Sequence, residues 1–103
     1  MIRLVKVART GSVPENGGIV VRVEGRPIAV FYKNGSYYAT DDTCPHEGGS
    51  LGQGEVEGDI VTCPWHEWRF NIKTGESLEL PGYSIATYPV KIKDNDILIE
   101  WNV

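Results

Sequence analysis

Apolar and polar residues alternate with a period of two along most of the chain, as in half-buried β-strands. No window shows a convincing 3.6-residue stripe, so no amphipathic helix is predicted. The alternating runs predict strands at residues 2–8, 19–23, 27–32, 36–40, 59–62, 69–72, 85–92 and 97–101. We therefore predict an all-β fold of short antiparallel strands.

Turn signals separate these strands at short, regular intervals. Asn34-Gly35 is the strongest hairpin signal, because both central positions of a type I′ turn need a positive φ. Glu24-Gly25 predicts a second hairpin, and Asp94-Asn95-Asp96 a third turn. Many short strands with frequent turns favour an antiparallel β-sandwich or open barrel.

Glycine is concentrated in one part of the chain. Five of the 12 glycines fall between Gly48 and Gly58, a stretch too rich in glycine to form the interior of a strand. We therefore predict a loop there. No long repeat, low-complexity tract or linker is present.

Length and composition limit the classes of protein that the chain can be. With 103 residues, 41% hydrophobic and 23% charged, it has the size and composition of a single globular domain spanning residues 1–103. The longest apolar run is five residues (28–32), and charged residues interrupt the N-terminal segment, so neither a transmembrane helix nor a signal peptide is predicted. The net charge is −4 and the bases are scattered, which argues against nucleic acid as a partner. We expect a soluble cytoplasmic protein.

The chemistry-bearing residues are two cysteines and two histidines. They occur as Cys44-Pro45-His46 and, after sixteen residues, Cys63-Pro64-Trp65-His66. Proline after each cysteine fixes φ and removes a backbone donor, so each loop offers one thiolate and one imidazole from a stiff segment. Such a set of ligands indicates a metal site.

Three interpretations of these four residues compete. They could be buried cysteines with incidental histidines, although all four lie in Gly- and Pro-rich loops. They could bind structural zinc, although zinc modules usually pair cysteines first and histidines later. A 2Fe–2S cluster with two thiolates on one iron and two imidazoles on the other requires mixed pairs from two facing loops.

The two mixed pairs, in type, order and spacing, resemble the signature of Rieske-type ferredoxins. The resemblance implies an antiparallel β-sandwich or open-barrel base with a smaller cluster-binding lobe at about residues 41–83. It implies one 2Fe–2S cluster, with Cys44 and Cys63 on the inner iron and His46 and His66 on the outer, solvent-facing iron. The segment 81–83 matches, more loosely, a third loop that covers the cluster in this family.

Departures from the family pattern bear on the reduction potential. High-potential members have two further cysteines that bridge the ligand loops, and the matching positions here are Gly49 and Trp65. Those members also have a serine and a tyrosine hydroxyl that donate to the cluster sulfurs, and the matching positions here are Trp68 and Phe70. Without these donors we expect a potential of about −150 mV rather than about +300 mV.

Residues around the ligand loops have two interpretations each. Gly48, Gly49, Gly52 and Gly54 either let backbone N–H groups approach the cluster sulfides closely or simply make turns, with close approach to the sulfides favoured at the first two. Trp65 and Trp68 either pack between the lobes or shield and dock the cluster edge, with Trp65 the more exposed. The acids Asp41, Asp42, Glu47 and Glu67 either steer a basic partner or are solvated loop charge.

No catalytic set is present: both histidines are used as ligands, and no phosphate-binding glycine motif occurs. The resemblance implies a monomeric one-electron carrier, not an enzyme. It would dock transiently on an NAD(P)H-dependent flavoprotein reductase and on a terminal oxygenase of aromatic compounds. The alternatives are a small subunit of an assimilatory nitrite reductase and a zinc-stabilised interaction module.

Overall fold

The computed structural model describes residues 2–43, 49–65, 67–79 and 81–102. Their strands form three antiparallel sheets, with the orders β1-β10-β9, β2-β3-β4-β8 and β5-β6-β7. The only helical element among the described residues is a single 3₁₀ turn, Leu51–Gln53, and no helix in these ranges has the length and hydropathy of a membrane span. The strands are β1 Ile2–Arg9, β2 Gly17–Val23, β3 Arg26–Lys33, β4 Ser36–Asp41, β5 Glu55–Glu57, β6 Ile60–Thr62, β7 Arg69–Asn71, β8 Thr87–Tyr88, β9 Val90–Lys93 and β10 Asp96–Asn102. The predicted all-β class is confirmed.

The first two sheets pack together to form the base of the molecule. Their inner faces share one core, in which strands of the β2-β3-β4-β8 sheet meet β10 of the other sheet. The two faces thereby remove their apolar side chains from water, which is the main stabilising contribution in a sandwich of this kind. The buried members of this base core are Val13, Val23, Ile28, Val30, Ala39, Ile97, Ile99 and Trp101.

A second core joins the base to the small β5-β6-β7 sheet, and Cys63 belongs to it. Strand β3 contributes to both cores, with Ile28 and Val30 on the base side and Ala29 and Phe31 on the other. All four of these residues are fully buried. The lobe core contains Ala29, Phe31, Leu51, Val56, Val61, Cys63, Phe70, Ile72 and Ile85.

Two predicted hairpin turns have the backbone that their sequences require. Glu24 and Gly25 have φ angles of 52° and 83°, and Asn34 and Gly35 have φ angles of 50° and 78°. Positive φ at both central positions matches the right-handed twist of the flanking strands, which sets the β2–β3 and β3–β4 registers.

Two sequence predictions about strands are wrong. The predicted strand at residues 85–92 is two strands, β8 in one base sheet and β9 in the other, separated by Pro89. Proline has no N–H for a ladder, so the chain changes sheets there. The glycine-rich stretch contains the 3₁₀ turn and strand β5, because the glycines flank the strand at Gly54 and Gly58 and leave its interior to Glu55–Glu57.

Tyr88 links the two base sheets. Its hydroxyl donates to Asp41 Oδ1 at 2.6 Å, and its ring stacks on Trp101 of β10 with a centroid separation of 5.4 Å. Burial, and then the hydrogen bond and the charge of Asp41, raise the pKa of Tyr88 to about 12.

Tyr88→Phe should lower the free energy of unfolding at pH 8 by about 1 kcal/mol, because it removes this hydrogen bond. The phenol pKa is higher in the folded state, so its contribution is complete below pH 10 and is lost as the pH rises from 10 to about 12. Urea unfolding between pH 8 and 11 should therefore show the wild type losing stability relative to the variant. Tyr37→Phe, which keeps its ring stack with Tyr32, is the control. Parallel pH curves for wild type and Tyr88→Phe would contradict the assignment.

Candidate metal centre

Cys63 lies directly after β6, at the start of a tight turn that leads into β7. Its backbone N–H donates to the Trp68 carbonyl at 2.7 Å, and its carbonyl accepts from the Glu67 N–H at 3.0 Å. Glu67 completes the turn with a φ of 62°, which is uncommon for a residue other than glycine. These bonds hold Cys63 against the backbone of Glu67 and Trp68.

The first predicted ligand segment leaves β4 and returns through an isolated bridge between Thr43 and Ser50. Next to this bridge, on the side nearer to β4, the Leu51 N–H donates to the Asp42 carbonyl at 2.8 Å. The side chain of Leu51 is fully buried in the same core as Cys63. The stem of this segment is therefore attached both to β4 and to the lobe core.

Gly49 brings the two segments into contact. A Cβ added at Gly49 would lie 2.8 Å from Cys63 Sγ and 2.9 Å from ring atoms of Trp65. Any larger residue would force the segments apart. The predicted approach of the Gly49 backbone N–H to the cluster sulfides stays a prediction. The neighbouring glycines also sit against other chain segments: a Cβ at Gly54 would be 2.2 Å from the Thr62 carbonyl oxygen.

This arrangement fits a cluster ligated by cysteine and histidine. Cys63 is fully buried with its sulfur against the glycine of the opposite segment, and thiolate and imidazole donors suit an iron–sulfur centre. Of the four predicted ligands, Cys63 is within the described residues. Cys44, His46 and His66 lie outside them, and so does Gly48. The assignment of all four residues, Cys63 included, as cluster ligands stays a prediction.

The two tryptophans of the second segment differ as expected. Trp65 is 68% exposed, whereas Trp68 is partly buried and packs against the lobe core. Trp68 also meets Tyr83 edge-on, with ring centroids 6.3 Å apart. The segment 81–83 thus packs on the turn that begins at Cys63, and its proposed role as a third, covering loop stays a prediction.

An ion pair between Arg69 and Glu79 connects the start of β7 to the chain just before the segment 81–83. The backbone N–H and the side-chain Nε of Arg69 each donate to the Glu79 carboxylate at 2.8 Å. Desolvation alone would raise the pKa of Glu79, but the two hydrogen bonds and the charge of Arg69 outweigh it, so the pKa lies below its ordinary value. This ion pair was not anticipated from the sequence, because a strand residue and a loop residue ten positions apart carry no periodic signal.

The acids near the ligand segments are used differently from one another. Asp41 accepts the Tyr88 hydroxyl and lies 3.5 Å from Arg26, and Asp42 is 6% exposed. Asp42 is therefore not a solvated loop charge, and the steering of a basic partner by these acids stays a prediction. Glu67 is exposed and remains available, and Glu47 lies outside the described residues.

Comparison with known proteins agrees with this site. The family model of the Rieske [2Fe-2S] domain matches residues 3–89. The ferredoxin component of the naphthalene 1,2-dioxygenase system of Pseudomonas aeruginosa is 38% identical over 89 residues, which is 85% of this chain and 86% of that protein.

Two solved structures have the same fold. Sphingomonas yanoikuyae B1 ferredoxin has a TM-score of 0.87 and 30% identity, covering 97% of this chain and 100% of its own. A chain from the complex of reduced oxygenase and oxidized ferredoxin in carbazole 1,9a-dioxygenase has a TM-score of 0.83 and 31% identity, covering 93% of this chain and 91% of its own.

These matches confirm the predicted 2Fe–2S cluster and exclude the zinc module and the metal-free interpretation. They cover the base sheets as well as the ligand segments, so the resemblance seen in the two Cys/His pairs extends over most of the chain. The chain belongs to the Rieske [2Fe-2S] domain family.

Proposed function

We propose that this protein carries single electrons from an NAD(P)H-dependent flavoprotein reductase to a terminal oxygenase that acts on aromatic compounds. The observation that carries the proposal is its similarity, over most of both chains, to the ferredoxin component of a naphthalene dioxygenase system. A protein of the same fold forms a complex with its oxygenase. The chain is an electron-transfer component and not itself a catalyst.

Within this proposal, Cys44 and Cys63 hold one iron and His46 and His66 hold the other. Full burial of Cys63 supports a place on the inner side, away from water. The bound cluster would accept and release one electron, and the surrounding chain would exclude solvent from the thiolate side. We infer one domain over residues 1–103, with a cluster-binding lobe at 41–83 that includes the β5-β6-β7 sheet.

We propose that the partner docks beside Trp65. This indole is 68% exposed, although it lies against Gly49 and two residues after the buried Cys63. A large aromatic ring at the surface offers contact area at a low cost in side-chain entropy. A monomer that docks transiently through a small surface of this kind suits a carrier with two partners. We propose that the protein is cytoplasmic, because the proposed source of its electrons is NAD(P)H.

The function is tested by adding the purified protein to a flavoprotein reductase and a Rieske oxygenase of an aromatic-ring dioxygenase system. With NADH and the aromatic substrate, we expect product to form only when the protein is present. Reduction by dithionite should give an electron paramagnetic resonance signal with a low average g value, because nitrogen and sulfur ligate the iron unequally. Electron delivery only to a sirohaem nitrite reductase would favour the nitrite-reductase alternative.

Cys63→Ala should abolish cluster assembly, because it removes a thiolate ligand from the buried side of the site. Iron, acid-labile sulfide and visible absorption in the purified protein are the measurements. Val61→Ala is the control, since Val61 is fully buried in the same core and its truncation also creates a cavity. The control should be less stable and yet hold its cluster. A variant that lacks Cys63 and still shows the native spectrum would remove this residue from the ligand set.

Trp65→Ala should leave the spectrum unchanged and slow electron transfer to the oxygenase by about tenfold, as expected for an interface aromatic worth about 1–2 kcal/mol. Stopped-flow oxidation of the reduced protein over a range of oxygenase concentrations separates weaker docking from slower transfer. Leu4→Ala is the matched control, because Leu4 is also an exposed apolar residue, 49% exposed, but lies on β1 in a base sheet. If Trp65→Ala and Leu4→Ala both transfer electrons to the oxygenase at the wild-type rate, Trp65 is excluded from the docking surface.

A further inference from the structure

Asp42 is an acidic residue buried at the stem of the first ligand segment. Its Oδ1 accepts a hydrogen bond from Ser50 Oγ at 2.9 Å and another from the Gly52 N–H at 2.7 Å. Its carbonyl accepts from the Leu51 N–H at 2.8 Å, and its own N–H donates to the Pro27 carbonyl at 3.3 Å. One residue thus joins β3 to both the outgoing and the returning arm of this segment.

The returning arm has little freedom once these bonds are made. A Cβ at Gly52 would lie 2.7 Å from Val20 Cγ2 and 3.0 Å from Asp42 Oδ1, so the backbone is pressed against β2 and the carboxylate. Leu51 adjoins Gly52 and is fully buried in the core that contains Cys63. The Asp42 carboxylate therefore holds the returning arm, from Ser50 to Gly52, against β2 and the core that contains Cys63.

A charged carboxylate is a costly choice for this task, since burying a charge is far less favourable than burying a neutral acceptor. An asparagine side chain could accept the same two hydrogen bonds. Asp42 is two residues from Cys44, so their Cα atoms are at most about 7.6 Å apart. We call the two hydrogen bonds that Asp42 accepts from Ser50 Oγ and the Gly52 N–H the clamp. Compared with an asparagine at this position, a carboxylate adds a fixed negative charge close to the first ligand segment.

We propose that Asp42 is a positioning residue for the first ligand segment and that its negative charge lowers the reduction potential. The inference rests on the proposed assignment of Cys44 as a ligand. Reduction adds one electron to the site, and a nearby negative charge opposes that addition. Because Asp42 is shielded from solvent, its field is screened less than that of an exposed acid.

The two roles are separated by two variants of Asp42. Asp42→Asn keeps a side-chain oxygen for Ser50 and Gly52 and removes the charge, so iron content and g values should be unchanged. The equilibrium constant for reduction should rise on the order of tenfold, as for charges ~10 Å apart in a partly buried setting. Asp42→Ala removes the hydrogen bonds as well, and should lower the iron content or broaden the electron paramagnetic resonance signal.

Asp94→Asn is the matched control for charge. Asp94 is exposed in the turn between β9 and β10, and its φ of 57° is one that asparagine adopts readily. Solvent screens its charge, so its removal should leave the potential unchanged. Ser50→Ala tests the clamp without a change of charge: it should lose cluster faster on mild heating while the potential of the remaining holoprotein stays at the wild-type value.

A wild-type potential for Asp42→Asn would overturn the charge role, and wild-type loading and signal shape for Asp42→Ala would overturn the positioning role. If Asp42→Asn fails to load, wild-type cluster retention in Ser50→Ala would overturn the clamp. Potentials, iron content and spectra are all measured on the isolated protein, without reductase or oxygenase. Failure to serve an oxygenase would therefore leave these results standing, whereas full loading of Cys44→Ala would remove the ligand assignment beneath them.

Discussion

Burial of β3 on both faces is the constraint on which the rest of the structure depends. Ile28 and Val30 face the base core, while Ala29 and Phe31 face the core that contains Cys63. A strand with no solvent face reads as an uninterrupted apolar run, as residues 28–32 do. This strand joins the electron-carrying lobe to the base. The position of Cys63 therefore depends on the packing of the most deeply buried part of the fold.

The two ligand segments are fixed to this framework by different means. The second segment is a short turn, closed by the bonds between Cys63 and the backbone of Glu67 and Trp68. The first spans a longer stretch, and a buried side chain, Asp42, holds its stem. Gly49 then lets the two approach until only hydrogen fits between the Gly49 Cα and the neighbouring Cys63 sulfur and Trp65 ring. Close contact of two independently fixed segments is what a site with mixed ligands from both requires.

Sequence analysis predicted the features that depend on local chemistry. The alternation gave the all-β class, and the turns at Glu24-Gly25 and Asn34-Gly35 follow from residues that tolerate or require positive φ. The two Cys/His pairs indicated the cofactor through their resemblance to the signature of Rieske-type ferredoxins, which lies in two short segments of the chain. The assignment of individual ligands remains a prediction at all four positions, Cys44, His46, Cys63 and His66.

What the sequence could not supply depends on contacts between distant residues. Pro89 lies within an alternating run, and only the packing of two sheets decides that the chain crosses between them there. In the sequence, nothing distinguishes Asp42 from an exposed loop acid, because its burial depends on contacts with Ser50 and Gly52 later in the chain. The ion pair of Arg69 and Glu79 likewise depends on the path of the chain after β7.

Packing of the lobe and the expected low reduction potential have a common cause. Phe70 is fully buried in the lobe core and Trp68 packs on that core. The family resemblance matches these two positions to hydroxyl donors in its high-potential members. A buried hydroxyl needs a hydrogen-bond partner, and without one it costs stability. A phenyl ring at position 70 contributes apolar burial instead, and the ring of Trp68 also supports Tyr83 of the third segment. The side chains that stabilise this small lobe would then be the ones that offer no hydrogen bond to the sulfurs, as the resemblance implies, and the buried charge of Asp42 would act in the same direction.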